Sequence, residues 1–196
     1  MTKIAPKKIS GEWNDGYALD FHTLMSTLVG YDEFGHERYL TTYTEIGELL
    51  YGLKYRGDRS KIAAIVDIAA EFVTSKKWKV DLVIPVPPSK SRHFQPVMAL
   101  AEGLARKLGV KFCGDCIVKV RDTPELKNEF DPVKRAKSLK GAFNANGVEV
   151  KRKAVLLFDD LYRSGATANE ICSTLIRNGG ASAIYVLTVT KTRTLQ

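Results

Sequence analysis

The spacing of apolar residues predicts two kinds of organisation along the chain. Before Val80, two segments carry apolar side chains at helical spacing: Glu45–Tyr55 and the residues that follow Ser60. From Val80 onward, short apolar runs alternate with helical segments, which is typical of a buried parallel sheet with crossover helices. The pattern therefore predicts an α/β fold with a central, mainly parallel sheet flanked by helices.

Strands and helices can be placed individually in this second part. Ligands of such sheets bind beyond the carboxyl ends of the strands, so candidate chemistry is expected after Val86, Val120, Phe158 and Thr190. The predicted strands are Asp81–Val86, Cys116–Val120, Ala154–Phe158 and Ala183–Val189, and the predicted helices are Pro96–Leu108 and Ala166–Arg177.

The first part of the chain has a different character. Residues 17–42 have strand propensity, and turn-forming residues at Tyr31–His36 predict a hairpin. We therefore expect an N-terminal extension over residues 1–42 and one larger domain over 43–196. No residue of the extension indicates a function, and two interpretations stay open: packing against the core or a partner, or a hood over a substrate.

Composition narrows the class of protein. The 196 residues are 44% hydrophobic and 27% charged, which is typical of a globular, soluble domain. The sequence predicts neither a membrane span nor a secretory signal, so the cytoplasm is the expected compartment. Cys113, Cys116 and Cys172 cannot all pair, which favours a reducing compartment over a disulfide framework. Zinc needs four ligands, so the spacing of Cys113 and Cys116 does not predict a metal site.

The charge balance favours an anionic partner. The net charge of +8 and pI near 9.3 suit polyanions or small anionic substrates. Because the basic residues are scattered along the chain, nucleic acid is an alternative that the pattern does not favour.

One segment combines features that suit a sugar phosphate. The strand Ala154–Phe158 leads into two carboxylates, Asp159 and Asp160, and then into a loop of small and hydroxyl-bearing residues. Adjacent carboxylates repel one another, so a fold keeps them where hydroxyl groups, a metal or cations compensate their charge. Backbone N–H groups at the start of the following helix can bind an anion. A simple helix cap by Asp160 or Ser164 is the ordinary alternative.

Taken whole, the string is more specific than its parts. An apolar strand, an acidic pair, two further residues and a hydroxyl-rich loop ending in Gly-Ala-Thr together resemble the signature with which type I phosphoribosyltransferases bind phosphoribosyl pyrophosphate (PRPP). The resemblance implies a Rossmann-like type I phosphoribosyltransferase fold. It also implies that the acidic pair holds the ribose hydroxyls, with Mg²⁺ contacted indirectly, while the loop wraps the 5-phosphate. The PRPP-binding residues so implied are Asp159, Asp160, Leu161, Tyr162, Arg163, Ser164, Gly165, Ala166 and Thr167.

Arg163 departs from the pattern of some purine enzymes in this family. Those enzymes have an aspartate at this position, which serves the nucleobase as acid or base. An arginine does not accept a proton at neutral pH, so Arg163 cannot serve a purine base in that way.

Other segments, in order, resemble the ComF family of competence-related phosphoribosyltransferase-like proteins across residues 43–193. Many ComF proteins begin with a cysteine-rich zinc module, whereas residues 1–42 contain no cysteine. The segments are Leu-Lys-Tyr-Arg-Gly-Asp at 53–58, Ile-Pro-Val-Pro-Pro-Ser-Lys at 84–90, His-Phe-Gln-Pro at 93–96, Arg135 with Gly-Ala-Phe at 141–143, the PRPP loop, and Thr188–Arg193.

This wider resemblance implies further phosphate contacts. Pro88, Ser89 and Lys90 would lie in the loop for the diphosphate, with a proline-stiffened turn as the alternative. The charged stretch Lys119–Lys140 resembles a mobile flap that closes over substrate, with a solvated loop as the alternative. Its implied anion contacts are Arg121, Lys127 and Arg135. The catalytic residues implied in all are Asp159, Asp160, Lys90, Arg121 and Arg135.

The resemblance implies transfer of a phosphoribosyl group from PRPP to a nitrogenous acceptor, with Mg²⁺ bound and pyrophosphate released. No residue identifies the acceptor. Two alternatives remain: a PRPP-sensing or DNA-associated regulator without turnover, and a defence-system effector that acts on nucleotides. Dimers are usual for proteins of this resemblance, so a homodimer is expected.

Overall fold

The chain folds around one six-stranded sheet with helices on both of its faces. A computed structural model describes residues 2–88, 93–121 and 132–193. The predicted α/β architecture with a central, mainly parallel sheet is confirmed. Among the helices described, none combines the length and the apolar character needed to cross a membrane.

The sheet has the strand order β1-β2-β10-β9-β5-β6, and all neighbours are parallel except β1 and β2. The helices are α1 (Glu45–Tyr55), α2 (Lys61–Ser75), α3 (Pro96–Leu108), α4 (Pro132–Leu139), α5 (Gly147–Val150) and α6 (Ala166–Arg177). The strands are β1 (Lys7–Lys8), β2 (Asp15–Phe21), β3 (Thr23–Tyr31), β4 (Glu37–Tyr43), β5 (Leu82–Pro85), β6 (Lys111–Phe112), β7 (Ile117–Lys119), β8 (Phe143–Ala145), β9 (Ala154–Tyr162) and β10 (Ala183–Lys191).

Strand β9 divides the core into two faces because successive side chains of a strand point to opposite sides. Val155 and Leu157 are buried on the side covered by α6, which we call the α6 face. Leu156 and Phe158 are buried against α1, α2 and α3, on the α1 face. The next two side chains of β9 follow the same alternation: Asp159 lies on the α6 face and Asp160 on the α1 face.

Both predicted crossover helices are confirmed residue for residue. Helix α3 begins with Pro96, whose fixed φ suits the first turn of a helix, and ends before Gly109 in the left-handed conformation (φ 69°). Leu100 and Leu104 lie fully buried on its inner side. Local signals at both ends of α3 explain why the sequence alone located it.

The predicted strand Cys116–Val120 is wrong as a member of the main sheet. Its counterpart, β7, is shorter and pairs antiparallel with β8 in a separate two-stranded sheet. Val118 and Val120 are 45% and 57% exposed, so this segment is not the buried strand that its apolar residues predicted. The short strand β6 takes the edge position beside β5 instead.

Cys113 and Cys116 form a disulfide in the connection between β6 and β7. The expectation that the cysteines of this chain are not used for disulfides is therefore wrong for this pair. Cys172 is a free, buried thiol on α6, and burial raises its pKa.

The predicted N-terminal extension is divided between two structural roles. Strand β2 lies inside the main sheet, parallel to β10, and β1 pairs with its outer side. The hairpin β3–β4 is confirmed and forms a separate two-stranded sheet. Its large apolar side chains are mostly exposed; Phe34 at its turn is 77% exposed. A boundary at residue 42 therefore does not coincide with an edge of the main sheet.

Candidate functional site

The acidic pair lies within β9 and not in the loop that follows the strand. The prediction ended the strand at Phe158, but β9 continues to Tyr162 because β10 extends beside it. In this pairing, Thr188 of β10 lies opposite Asp159, and Thr190 lies opposite Leu161. Two adjacent residues on a strand point to opposite faces, so the two carboxylates are separated by the sheet.

Asp159 lies on the α6 face and lines a pocket at the carboxyl edge of the sheet. Its Oδ1 accepts a hydrogen bond from the backbone N–H of Asp160 at 2.8 Å. Burial, followed by the negative charge of Asp160, raises the pKa of Asp159 to about 8. The raised pKa favours the protonated form of Asp159, which can both donate and accept a hydrogen bond.

Asp160 points toward the α1 face, where it forms an ion pair. Its Oδ2 is 2.6 Å from Nζ of Lys54 on α1, and the two side chains are 13% and 19% exposed. This pairing was not predicted, although Lys54 belongs to one of the segments on which the ComF resemblance rests. Asp160 is thus neutralised by the protein itself.

His22 and Thr190 surround the backbone next to this ion pair. The hydroxyl of Thr190 donates to the carbonyl oxygen of Asp160 at 3.3 Å and lies 3.3 Å from Nδ1 of His22. Burial and the nearby charge of Lys54 lower the pKa of His22. Asp160 is therefore paired with Lys54 on the α1 face, whereas Asp159 lines the pocket on the α6 face.

The turn between β9 and α6 is built around Gly165. This residue has φ 77°, and a Cβ atom placed on it would lie only 2.4 Å from the hydroxyl oxygen of Tyr162. Gly165 occupies the N-cap position of α6 and supplies no side-chain cap. Gly165, Ala166 and Thr167 line the pocket, so the pocket lies at the positive end of α6, which favours an anion.

The structure brings together nearly all residues of the implied PRPP loop in one pocket. Asp160 is the exception, because it points to the other face of the sheet. The residues that line the pocket are Asp159, Leu161, Tyr162, Arg163, Ser164, Gly165, Ala166 and Thr167.

Of the implied diphosphate loop, only its start can be placed. Val86 donates its N–H to the carbonyl oxygen of Phe158 at 2.8 Å, so the segment leading to Pro88 leaves the sheet directly beside the acidic pair. Pro88 is exposed. Ser89 and Lys90 lie outside the described residues, and their role stays a prediction.

The implied flap residues are only partly accounted for. Arg121 donates to the carbonyl oxygens of Ser138 and Lys140, at 3.0 and 2.9 Å, and so closes the end of α4. Lys127 lies outside the described residues. Arg135 lies on α4, but its side chain is outside the described set. The described geometry gives Arg121 a capping contact, and an anion contact stays a prediction.

The residues at this site do not form a ready metal cage. Within the described ranges, no group of three or more His, Cys, Asp or Glu side chains could hold a metal ion. Asp159 has a raised pKa, and Asp160 is paired with Lys54. A divalent cation at this edge would therefore need most of its oxygen ligands from a substrate.

A cluster of charged side chains, which the sequence did not predict, lies beside the pocket. Three cations surround the ring of Phe21 at the end of β2: Lys7, Lys191 and Arg193. Their distances to the ring centroid are 5.2, 5.8 and 4.5 Å. No local sequence pattern reveals this cluster, because Lys7 and Phe21 lie near one end of the chain and Lys191 and Arg193 lie near the other. We call these four residues the Phe21 cluster.

Comparison with known proteins gives structural likenesses without a family assignment. No family model matches the chain, and no curated protein matches it. Seventy-six chains among solved structures do match. One is adenine phosphoribosyltransferase from Leishmania tarentolae, with 11% identity, a TM-score of 0.49, and coverage of 95% of this chain and 94% of that one. Adenine phosphoribosyl transferase from Trypanosoma brucei, in complex with AMP, pyrophosphate and ribose-5-phosphate, has 13% identity, a TM-score of 0.48, and coverage of 94% and 73%.

Two larger enzymes also match. The glutamine PRPP amidotransferase from B. subtilis, complexed with ADP and GMP, has 17% identity and a TM-score of 0.46 over 76% of this chain. An allosteric regulatory enzyme of purine biosynthesis has 20% identity and the same TM-score over 66%. The chain spans only 28% and 26% of the lengths of these two proteins. At such identities and TM-scores, the comparisons assign no activity to this chain.

Proposed function

We propose that this chain binds PRPP and transfers its phosphoribosyl group to a nitrogenous acceptor. One observation carries the proposal: Asp159 and the amide-lined turn at Gly165 line the same pocket. The turn suits a terminal phosphate, because a helix N-terminus stabilises an anion. Asp159 suits the ribose hydroxyls, which both donate and accept hydrogen bonds.

The protein's own groups would act mainly by positioning and by charge. The turn would fix the 5-phosphate, and Asp159 would orient the ribose through its hydroxyls. Positive charge develops on the ribose ring as the diphosphate leaves, and this charge favours the ionised form of Asp159. Mg²⁺ bound together with the substrate would neutralise the diphosphate oxygens.

A thermal shift experiment tests the binding step. PRPP with Mg²⁺ at about 100 times its Kd should stabilise the native protein by about 2.7 kcal/mol, which is a rise in Tm of roughly 5–10 °C. We expect the shift to disappear in Asp159→Leu, which removes both the donor and the acceptor that the ribose hydroxyls would use. The control Asp67→Asn changes a surface carboxylate that pairs with Lys107, and it should keep the full shift. Absence of any shift in the native protein would rule out the proposal.

Pyrophosphate release tests the transfer step. The native protein would be assayed with PRPP, Mg²⁺ and a panel of nitrogenous bases, and release should depend on one class of base. Asp159→Asn should lower this release by at least tenfold, since it loses a group that acts on the ribose.

A second function has one observation in its favour. Because Asp160 is held by Lys54, the pocket contains one carboxylate where the resemblance implied two. A PRPP-sensing regulator of the ComF type, with binding but without turnover, would suit this arrangement. Ligand-induced stabilisation without pyrophosphate release for any base would favour it over the transferase.

A further inference from the structure

The Phe21 cluster concentrates positive charge at one point of the sheet edge. Lys191 lies opposite both Phe21 and Tyr162 in the strand pairing, so its backbone is fixed between β2 and β9. Arg193 is anchored by its Nε, which donates to the carbonyl oxygen of Thr23 at 3.1 Å. Lys7 reaches the same ring from β1. Elements from both ends of the described chain thus bring three cations to a single aromatic ring.

None of these three cations forms an ion pair with a carboxylate in the described part of the chain. Asp20 lies next to Phe21, but its carboxylate accepts hydrogen bonds from the N–H groups of Ala5 and Phe21. Each cation is attracted to the ring of Phe21, but the three positive charges repel one another. A bound anion would reduce this repulsion.

The cluster adjoins the pocket through Tyr162. This residue lines the pocket, and Nζ of Lys191 lies 5.8 Å from its ring. The N–H of Thr192 donates to the carbonyl oxygen of Tyr162 at 2.9 Å, which holds the end of β10 against the pocket wall. A small planar molecule with one edge in the pocket could therefore place an acidic group on the cluster.

The position of the cluster relative to the sheet indicates which reactant it serves. Strand β9 carries Asp159 and is flanked by β5 on one side and β10 on the other. The implied diphosphate segment follows β5. In a displacement at the anomeric carbon, the attacking and leaving groups lie on opposite sides of that carbon. The acceptor would then approach from the β10 side, where the Phe21 cluster lies.

We propose that the Phe21 cluster binds a carboxylate on the nitrogenous acceptor, so that the acceptor is an anionic heteroaromatic acid. The proposal rests on the proposed function, whose acceptor it specifies. The lone pair of the acceptor nitrogen forms the bond to the anomeric carbon, and the carbon–oxygen bond to diphosphate breaks with its electrons. Pyrophosphate leaves. An acceptor nitrogen that carries a proton, as in a uracil ring, passes this proton to water, whereas a pyridine nitrogen has none and the product keeps a positive charge on its ring. Arg193 suits the carboxylate in particular, because a guanidinium can bind both oxygens.

Matched acids and neutral analogues test the inference by isothermal titration calorimetry. The pairs are pyridine-3-carboxylate with pyridine-3-carboxamide, and uracil-6-carboxylate with uracil, each with Mg²⁺ and with ribose 5-phosphate in place of PRPP, so that no transfer occurs during the titration. For at least one pair, the native protein should bind the acid at least tenfold more tightly. This ratio should fall below threefold in Lys191→Gln/Arg193→Gln. If no pair prefers the acid, or the double variant keeps the preference, the inference is overturned.

Lys76→Gln is the matched control. Lys76 also lies over an aromatic ring, 3.8 Å from the centroid of Tyr17, but it belongs to the end of α2. It removes a positive charge and a cation–ring contact without touching the cluster, so the acid preference should persist. If Lys76→Gln lost the preference for the acid as fully as Lys191→Gln/Arg193→Gln, the effect would come from net charge, and the inference would be overturned.

The same variants separate this inference from the proposed function. PRPP with Mg²⁺ should still raise the Tm of Lys191→Gln/Arg193→Gln, because neither residue lines the pocket. A PRPP shift without acid preference in the native protein would overturn the acceptor assignment alone. The native protein could instead bind the acid more tightly than its neutral analogue but show no change in Tm with PRPP. That result would overturn the transferase proposal and leave the carboxylate site in place.

Discussion

At the scale of single residues, the pocket is built from groups that reduce the stability of the free protein. Asp159 is a half-buried acid with a raised pKa, and Gly165 holds a conformation that other residues rarely adopt. Groups of this kind persist where a ligand benefits from them. Substitutions test both residues: replacing Asp159 should stabilise the free protein, and replacing Gly165 should destabilise it.

Replacing Asp159 with asparagine should stabilise the free protein in a pH-dependent way. Its pKa is higher in the folded state than in the unfolded chain, so its cost to folding begins above about pH 4 and grows until about pH 8. Asp159→Asn should therefore raise Tm by roughly 2–4 °C at pH 8, and by much less at pH 4. Scanning fluorimetry from pH 4 to 9 measures this. An equal gain at every pH would contradict the assignment.

Gly165→Ala should both destabilise the fold and abolish PRPP binding. The new methyl group meets the ring of Tyr162 and also enforces an unfavourable φ. We expect a loss of about 2–3 kcal/mol, compared with about 1 kcal/mol for Gly57→Ala. Gly57 has φ 69° and open space around it, so it isolates the backbone effect. Equal losses in urea unfolding would indicate that Tyr162 moves aside.

At the scale of elements, alternation along β9 separates two carboxylates that are neighbours in sequence. The sequence located the strand, the acidic pair and α6, because each has a local signal. It did not predict that β9 continues through Asp160, since this depends on pairing with a long β10. Nor did it predict the partner of Asp160, because Lys54 comes from a helix that reaches this face only after the chain has folded.

The Lys54–Asp160 pair should behave as a structural link between α1 and β9. Removing one partner leaves the other as a largely buried charge, so Lys54→Met should cost about 2–3 kcal/mol of unfolding free energy. Lys54→Met/Asp160→Asn should recover at least about 1 kcal/mol of that loss. Urea unfolding of the single and double variants measures the coupling, and strictly additive losses would contradict the link.

The separate sheet of β3 and β4 differs from the main sheet in how little of it is buried. Most of its large apolar side chains are exposed, so it contributes little to the core. Strand β2 could not be told from this hairpin by sequence, because its mixed polar and aromatic residues give no buried-strand pattern. Only the pairing of β2 with β10 assigns it to the main sheet.

At the scale of the whole molecule, one sheet serves two separate cores. Trp13 packs against the core of the α6 face, and Trp78 packs against the core of the α1 face. Trp78 also stacks on Tyr185 of β10, with ring centroids 4.9 Å apart. Because both cores share the strands of the same sheet, neither should persist without the other.

Single-tryptophan variants should therefore report one unfolding transition. Trp13→Phe leaves a probe on the α1 face, and Trp78→Phe leaves one on the α6 face. In each variant, tryptophan fluorescence and far-ultraviolet circular dichroism should give the same urea midpoint, as expected for a cooperative unit. A fluorescence transition that precedes the circular dichroism transition in one variant would mean that one core opens independently.

The parallel pairing of β2 with β10 has a consequence for the order of events during synthesis. The N–H of Ile184 donates to the side chain of Asn14, 170 positions earlier in the chain. At roughly 5–20 residues per second, the ribosome would need on the order of 10–30 s to make the intervening polypeptide. Until then β2 has no strand to pair with except β1, and the sheet edge that bears the pocket is incomplete. Nascent chains halted before residue 183 should accordingly be sensitive to protease in their first twenty residues and bind chaperones, and both properties should vanish once β10 has emerged.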